Sequence, residues 1–140
     1  MHDAPMPNSY VVDVHDFPAA PDLDPVEGWI NMQVQFLIHA DNAGATELVV
    51  GRTVFPPGGS SHERHRHHSA DEFVYVIRGS GVVMNGEDEI PVRAGQMAFH
   101  PKGVWHGFRN LSDTEEAEVI WAWGGAGSRE AAGYEVKPAE

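Results

Sequence analysis

Three histidines and one glutamate, placed in two separate stretches of the chain, have the residue types of a metal site. His65 and His67 are two positions apart, Glu72 follows after four more residues, and His106 stands in the second stretch. Three neutral imidazoles and one carboxylate suit a divalent Fe, Mn, Zn, Ni, Co or Cu ion, and leave open positions on a six-coordinate metal. We predict one divalent transition metal per chain, and favour Fe or Mn.

These side chains can meet only if strands position them. Side chains two apart on a strand share a face, so His65 and His67 can hold one ion together. Glu72 begins the next predicted strand after a short bend, and we expect that strand to run back beside the first as a hairpin. His106 lies on a distant strand and joins the set only if the sheet closes on itself.

Closely spaced β-type runs separated by turn residues dominate the chain after its first part. The predicted strands are Ile30–Ile38, Glu47–Phe55, His62–His67, Glu72–Ile77, Gly81–Met84, Ile90–Val92, Gln96–His100, Val104–Arg109 and Glu118–Trp123. Asn85-Gly86 is a hairpin signal, and only Ser128–Ala132 favours a short helix. Many short strands predict an all-β, antiparallel sandwich or barrel in a single domain.

We divide the 140 residues into three parts. Residues 1–26 are rich in proline and aspartate and form an arm whose β-like run, Tyr10–Val14, can pair along a sheet edge, its own or a neighbour's. Residues 27–126 form the barrel. Residues 127–140 form a surface tail.

The glycines, proline and asparagine around the four candidate ligands complete two spaced motifs. They read Gly59, His65, His67, Glu72 and Gly79, then Gly95, Pro101, Gly103, His106 and Asn110. These motifs resemble the two conserved motifs of the cupin family, and the resemblance covers about Val49 to Trp123. It implies a jelly-roll barrel, an antiparallel double-stranded β-helix, with a metal inside and commonly a homodimer. By motif position, His65, His67, Glu72 and His106 would be the metal ligands.

The composition excludes several classes of partner. The net charge is −12 and no cysteine is present, so we expect no nucleic acid partner and no cysteine-ligated metal. No run approaches the ~18–20 apolar residues of a membrane span, and the first residues lack the pattern of a signal peptide. We predict no membrane partner and a cytoplasmic location.

Alternation along the strands predicts which residues face the pocket. Val74 and Val76 should point inward with Glu72, and Phe108 with His106. On the opposite face stand Phe73, Tyr75 and Ile77. A strand that is apolar on both faces must be covered on both, which predicts a partner in the form of a second subunit, giving a homodimer, or coverage by the arm.

Other polar residues have two interpretations each. His62 and His68 have the wrong parity to bind the same ion and are placed at the surface or behind the ligands, and His100 is placed at the rim. Gln33, Gln35 and Arg52 face solvent in the interpretation that we favour. In the alternative, they line the pocket and bind a substrate.

The pattern favours a metal-dependent enzyme acting on a small enolisable, phenolic or carboxylate compound. Among the possible reactions we favour that of a dioxygenase. The alternatives are a lyase or isomerase of a small acid or sugar derivative, and a binding protein without catalysis. No general acid or base can be identified from the residues.

Overall fold

The computed structural model describes residues 10–138, which form eleven strands and two one-turn helices. In chain order the strands are β1 (Trp29–Ile30), β2 (Gln33–Ile38), β3 (Leu48–Phe55), β4 (Ser61–Arg66), β5 (Asp71–Arg78), β6 (Ser80–Asn85), β7 (Asp88–Arg93), β8 (Met97–His100), β9 (His106–Arg109), β10 (Ala117–Gly124) and β11 (Glu135–Val136). The helices are α1 (Ala40–Ala43) and α2 (Arg129–Ala132), and a 3-10 turn spans Pro25–Glu27.

Two antiparallel sheets face each other across the core. One has the order β1-β4-β9-β6-β7, with β11 also paired to β4, and the other has the order β2-β3-β10-β5-β8. Apart from the neighbouring pairs β2–β3 and β6–β7, consecutive strands alternate between the two sheets, as in a double-stranded β-helix. The all-β fold class is confirmed.

Local sequence explains the main chain reversals. The predicted hairpin at Asn85-Gly86 is confirmed, since Asn85 pairs with Asp88 across the turn. The predicted strand Ile30–Ile38 is wrong as one element. Asn31 adopts a left-handed φ of 53°, a conformation that asparagine tolerates, and this break passes the chain from one sheet to the other.

The inward faces of both sheets build one apolar core, and its largest aromatic group lies on β10. Trp121 and Trp123 share the inner face, and Phe36 contacts both indoles edge-on at 5.5 and 6.1 Å between ring centroids. The indole of Trp121 occupies the space that a side chain at Gly51 would fill. The absence of a Cβ at Gly51 therefore lets β3 and β10 pair beneath a tryptophan.

The arm follows the edge strand β2, and its β-like run forms no strand within this chain. Residues 10–14 are not in a strand. Instead, Gln35 Nε2 donates to the carbonyls of Val14 and Phe17, each at 2.7 Å, and Ala20 N–H donates to Val34 O. Hydrogen bonds from one glutamine side chain to two carbonyls therefore hold the arm, in place of the ladder of backbone hydrogen bonds that a strand would form.

The last part of the described chain does more than cover the surface. The predicted helix is present as α2, capped by Ser128 Oγ, which accepts from Ala131 N–H. Beyond it, β11 pairs with His65 and Arg66 of β4. No helix among residues 10–138 has the length and apolar character needed to cross a membrane.

Candidate metal centre

The four side chains predicted from the sequence lie together inside the barrel. His65, His67, Glu72 and His106 are 2, 1, 8 and 3% exposed, and each offers one donor atom within 4.8 Å of the others. The structure therefore brings together the complete set, three imidazoles and one carboxylate, in the buried interior of the barrel.

Both sheets contribute to this cluster. His65 on β4 is directly paired with His106 on β9, and His67 follows at the end of β4. Glu72 is on β5, in the opposite sheet. The expected hairpin between β4 and β5 is therefore wrong: the carboxylate faces the imidazoles across the barrel interior rather than along one sheet.

The protein backbone sets the tautomer of each of these imidazoles. His65 Nδ1 lies 2.7 Å from Glu63 O, His67 Nδ1 2.7 Å from Gly133 O, and His106 Nδ1 3.1 Å from Val104 O. A carbonyl only accepts, so each Nδ1 carries the proton and donates. In the neutral ring each Nε2 is then left with a lone pair, the state in which histidine binds a metal.

Glu72 is the electrostatic centre of the group. Its Oε1 accepts from Trp123 Nε1 at 2.7 Å and lies 3.3 Å from His106 Nε2 and 3.1 Å from His67 Nε2. Burial alone would raise the pKa of this carboxyl, but the charge of His106 and its hydrogen bond outweigh burial and hold the pKa well below the usual range. Glu72 is therefore an anion at neutral pH.

Burial and the neighbouring charges shift the pKa values of His65 and His106 in opposite directions. Burial lowers the pKa of His65 well below the ordinary value of 6.5, and its histidine neighbours lower it further. Burial would also lower the pKa of His106, but the adjacent Glu72 carboxylate raises it. In the metal-free cluster the Glu72 carboxylate thus favours the protonated form of His106, and a metal would replace that proton.

A divalent cation fits the residues present. His67 Nε2 is buried and has no aligned hydrogen-bond partner among the described residues, although Glu72 Oε1 is near. A buried polar atom without a partner costs about 1–3 kcal/mol, and a metal ion in contact with this lone pair would remove that cost. The nitrogen-rich donor set suits Fe, Mn, Co, Ni, Cu or Zn rather than Ca or Mg.

The cluster forms part of the wall of an otherwise largely apolar chamber of about 490 Å³, including its mouth. Val74 and Phe108 line it, as the alternation predicted. The other apolar walls are Trp29, Met32, Phe55, Val83, Val119, Trp121 and Trp123.

His62 lines this chamber, which the parity argument did not anticipate. His62 pairs with Phe108 and His65 with His106, so β4 has three steps where β9 has two. This bulge turns His62 to the face that His65 occupies, and their rings stack at 3.6 Å. His62 Nε2 lies 3.0 Å from the Tyr134 hydroxyl, which donates to Glu27 O. His62 therefore donates from Nε2 and keeps a lone pair at Nδ1.

His100 is also inside rather than at the rim. It ends β8, pairs across from Glu72 and is 1% exposed. Its ring stacks on His106, with 4.4 Å between centroids and 8° between planes. Burial, followed by the charge of His106, lowers the pKa of His100 to about 4, so the ring is neutral at pH 7.

The remaining polar candidates lie outside the chamber, as the favoured interpretation expected for Gln33 and Arg52. Gln33 is exposed, and Arg52 pairs with Glu118 and donates to Gln35 Oε1 at 3.0 Å. Gln35 is 7% exposed because the arm covers it, so its predicted contact with solvent is wrong. His68 is exposed, with its Nε2 2.9 Å from Glu135 Oε1.

Two structural partners of the cluster lay beyond sequence reasoning. The Gly133 carbonyl and Trp123 each contact a candidate ligand, yet they come from segments far along the chain. Nothing in the sequence of the tail indicated that Gly133 would contact a histidine. Trp123 could have been identified, because an indole on an inward face needs an acceptor for its N–H, and Glu72 is a nearby anion.

Comparison with known proteins places this geometry in context. The family model described as the cupin domain matches residues 51–123. Protein SchB of Streptomyces halstedii is 39% identical over 87 residues, 62% of each chain, and the polyketide synthase CurC of Streptomyces cyaneus is 37% identical over 78 residues, 56% of this chain and 49% of CurC. The matches span about half to three fifths of these relatives.

Among solved structures, the polyketide cyclase RemF from Streptomyces resistomycificus superimposes with a TM-score of 0.76. The alignment covers 95% of this chain and 88% of RemF at 19% sequence identity. At this identity the likeness shows the fold.

Proposed function

Because this chain belongs to the cupin domain family, we propose that His65, His67, Glu72 and His106 hold one divalent transition metal and that the protein is an enzyme acting on a small oxygenated compound bound there. The observation that carries this proposal is the convergence of three Nε2 lone pairs and one carboxylate in the wall of an apolar chamber. When bound, the metal would supply Lewis acidity toward a substrate oxygen.

The charges favour an anionic or enolisable compound. A divalent ion brings two positive charges, Glu72 supplies one negative charge, and the three imidazoles are neutral when they bind metal. The net positive site would stabilise an enolate oxygen. The aromatic walls would hold a flat, conjugated compound and exclude water from it.

We propose polyketide-like compounds with alternating carbonyl groups as the substrate class. CurC, at 37% identity, is a polyketide synthase, and RemF, with the same fold, is a polyketide cyclase. Methylene groups between two carbonyls lose a proton readily to give an enolate, which can close a ring or eliminate water. The reaction would then be an enolisation followed by cyclisation, elimination or isomerisation.

His62 is the residue best placed to take the proton from such a methylene group. It lines the chamber, and its Nε2–H is held by Tyr134, so the free lone pair is at Nδ1. Tyr134 in turn is fixed by the Glu27 carbonyl. This chain of hydrogen bonds would orient the ring and stabilise its charge after proton transfer.

A dioxygenase acting on the same class of compound is the second candidate. The donor set of three nitrogens and one carboxylate also suits redox-active iron, and an enolised diketone or phenol is a substrate for oxidative C–C cleavage by O2. The two candidates differ in one measurable quantity, the consumption of O2.

Elemental analysis and turnover test the proposal together. Protein purified without chelator should contain close to one metal per chain. The metal-loaded form should convert a poly-β-ketone with three or more carbonyl groups or, if it is a dioxygenase, cleave acetylacetone with O2. Conversion without O2 uptake supports the first candidate, and stoichiometric O2 uptake supports the dioxygenase. Binding without conversion would support a binding protein, and lack of metal in a folded protein would refute the proposal.

We further propose that the protein forms a homodimer through the outer face of β5 and β8. Tyr75 and Ile77 on β5 are 38 and 41% exposed, and Met97 and Phe99 on β8 are 62 and 58% exposed. The arm covers the other end of this sheet, at β2. An apolar surface of this kind favours association with a second copy, and Phe99→Glu should convert a dimer into a monomer in light scattering.

A cytoplasmic location stays a prediction of the sequence. Fractionation of cells that produce the protein would test it.

A further inference from the structure

His100 is a buried polar side chain without a partner in the described part of the chain. It is 1% exposed, and neither ring nitrogen has a hydrogen bond within residues 10–138, with Nδ1 completely enclosed. Buried polar groups nearly always have a partner, and an exception needs an explanation such as a ligand. His100 lines the chamber and stacks on His106, so a ligand bound beside His106 would be within its reach.

The position of the proton on His100 follows from its surroundings. A neutral imidazole carries one N–H and one lone pair. Proteins tolerate an enclosed acceptor without a partner better than an enclosed N–H, which places the lone pair at Nδ1. The N–H is then at Nε2, the nitrogen that is not enclosed. His100 thus offers the chamber a donor, which calls for an oxygen acceptor on the ligand.

We propose that His100 is a specificity-determining residue whose Nε2–H donates to an additional oxygen of the bound compound, one beyond the oxygens at the metal. This inference rests on the proposed function, since it requires a ligand held at the metal by its first oxygens. It narrows the substrate class to compounds with at least three neighbouring oxygens. The two oxygens of a diketone would bind only the metal. The third oxygen of a triketone would in addition accept a hydrogen bond from His100.

A matched pair of probes tests the contact in the whole protein. Acetylacetone has two carbonyls, and diacetylacetone is the same chain extended to three. Both are titrated calorimetrically into protein loaded with Zn²⁺, which has no redox chemistry. His100→Leu should weaken diacetylacetone binding about tenfold, the effect of one neutral hydrogen bond. Acetylacetone binding should change by roughly twofold or less.

Two further variants locate the donor atom. The amide of glutamine reaches the position of Nε2, whereas the shorter asparagine amide reaches that of Nδ1. His100→Gln should restore most of the diacetylacetone affinity, and His100→Asn should not. Metal content should be unchanged in all three variants, and the metal-free His100→Leu protein should melt no lower than the metal-free wild type, because it loses an unpartnered buried nitrogen.

The outcomes separate this inference from the proposed function. Equal losses for both probes, no loss for either, or loss of metal in a folded His100→Leu protein would overturn the role of His100 while leaving the metal enzyme intact. Failure of metal-loaded wild type to bind acetylacetone would instead contradict the proposed function, and the His100 contact with it.

Discussion

Replacing Trp123 by phenylalanine isolates the support that the barrel gives to Glu72. The indole donates its N–H to Glu72 Oε1 at 2.7 Å, and both side chains are buried. Phenylalanine keeps an aromatic ring at the site but has no donor. The carboxylate would lose the one partner that, among residues 10–138, holds it from outside the histidine cluster, and we expect metal binding to weaken.

The size of this effect follows from the type of bond. A hydrogen bond to a charged group contributes about 1.5–3 kcal/mol, and 1.4 kcal/mol corresponds to a factor of ten in affinity. Trp123→Phe should therefore weaken metal binding about 10- to 100-fold, the range typical of residues that orient metal ligands.

Trp121→Phe is the matched control. Trp121 lies on the same face of β10, and its Nε1 donates to Thr53 Oγ1 at 2.9 Å rather than to the carboxylate. Both variants lose the same volume and one hydrogen bond, so their difference reports the contact with Glu72. Zn²⁺ affinity is measured by competition with a chelating dye. An affinity of Trp123→Phe within about threefold of Trp121→Phe would refute the reasoning.

Three other predictions concern the cluster and the fold. His67→Ala should release the metal and keep the far-UV spectrum of the barrel, whereas His68→Ala, at an exposed position, should keep the metal; equal metal contents would contradict the ligand assignment. Metal affinity should rise with pH: the pKa of His106 is raised by Glu72, so the metal must displace a proton below that pKa, and titrations should show about a tenfold gain per pH unit there and a plateau above it. A flat profile would show that no proton is displaced. Gly51→Ala should destabilise the protein by about 1–3 kcal/mol or more in urea unfolding, since its Cβ would overlap a buried indole; unchanged stability would mean that the indole can move aside.

Local periodicity explains why much of the cluster was predictable. Strand alternation places His65 and His67 on one face, and the same rule correctly turned Val74 inward with Glu72. The hairpin signal at Asn85-Gly86 likewise depends only on neighbouring residues. Each of these inferences uses geometry that persists over two to six residues, and such geometry is encoded locally.

The incorrect predictions share a different origin. Strand alternation predicted the wrong face for His62 because a bulge between β4 and β9 adds one residue to one strand. The pairing of two distant strands decides where such a bulge forms. His100 was placed at the rim because it precedes a turn, yet β8 pairs with β5 so that His100 lies opposite Glu72. The hairpin between β4 and β5 was wrong because these strands belong to different sheets.

The sequence by itself therefore determined the all-β class, the family and the group of side chains that could bind a metal, because spacing along a strand dictates which side chains share a face. Only the tertiary structure decided what surrounds that group. The Gly133 carbonyl that sets the tautomer of His67, the indole that holds Glu72 and the unpartnered His100 are brought there by strand pairing and barrel closure. Contacts between residues far apart in the chain depend on how whole sheets pack, and the spacing of neighbouring residues does not predict them.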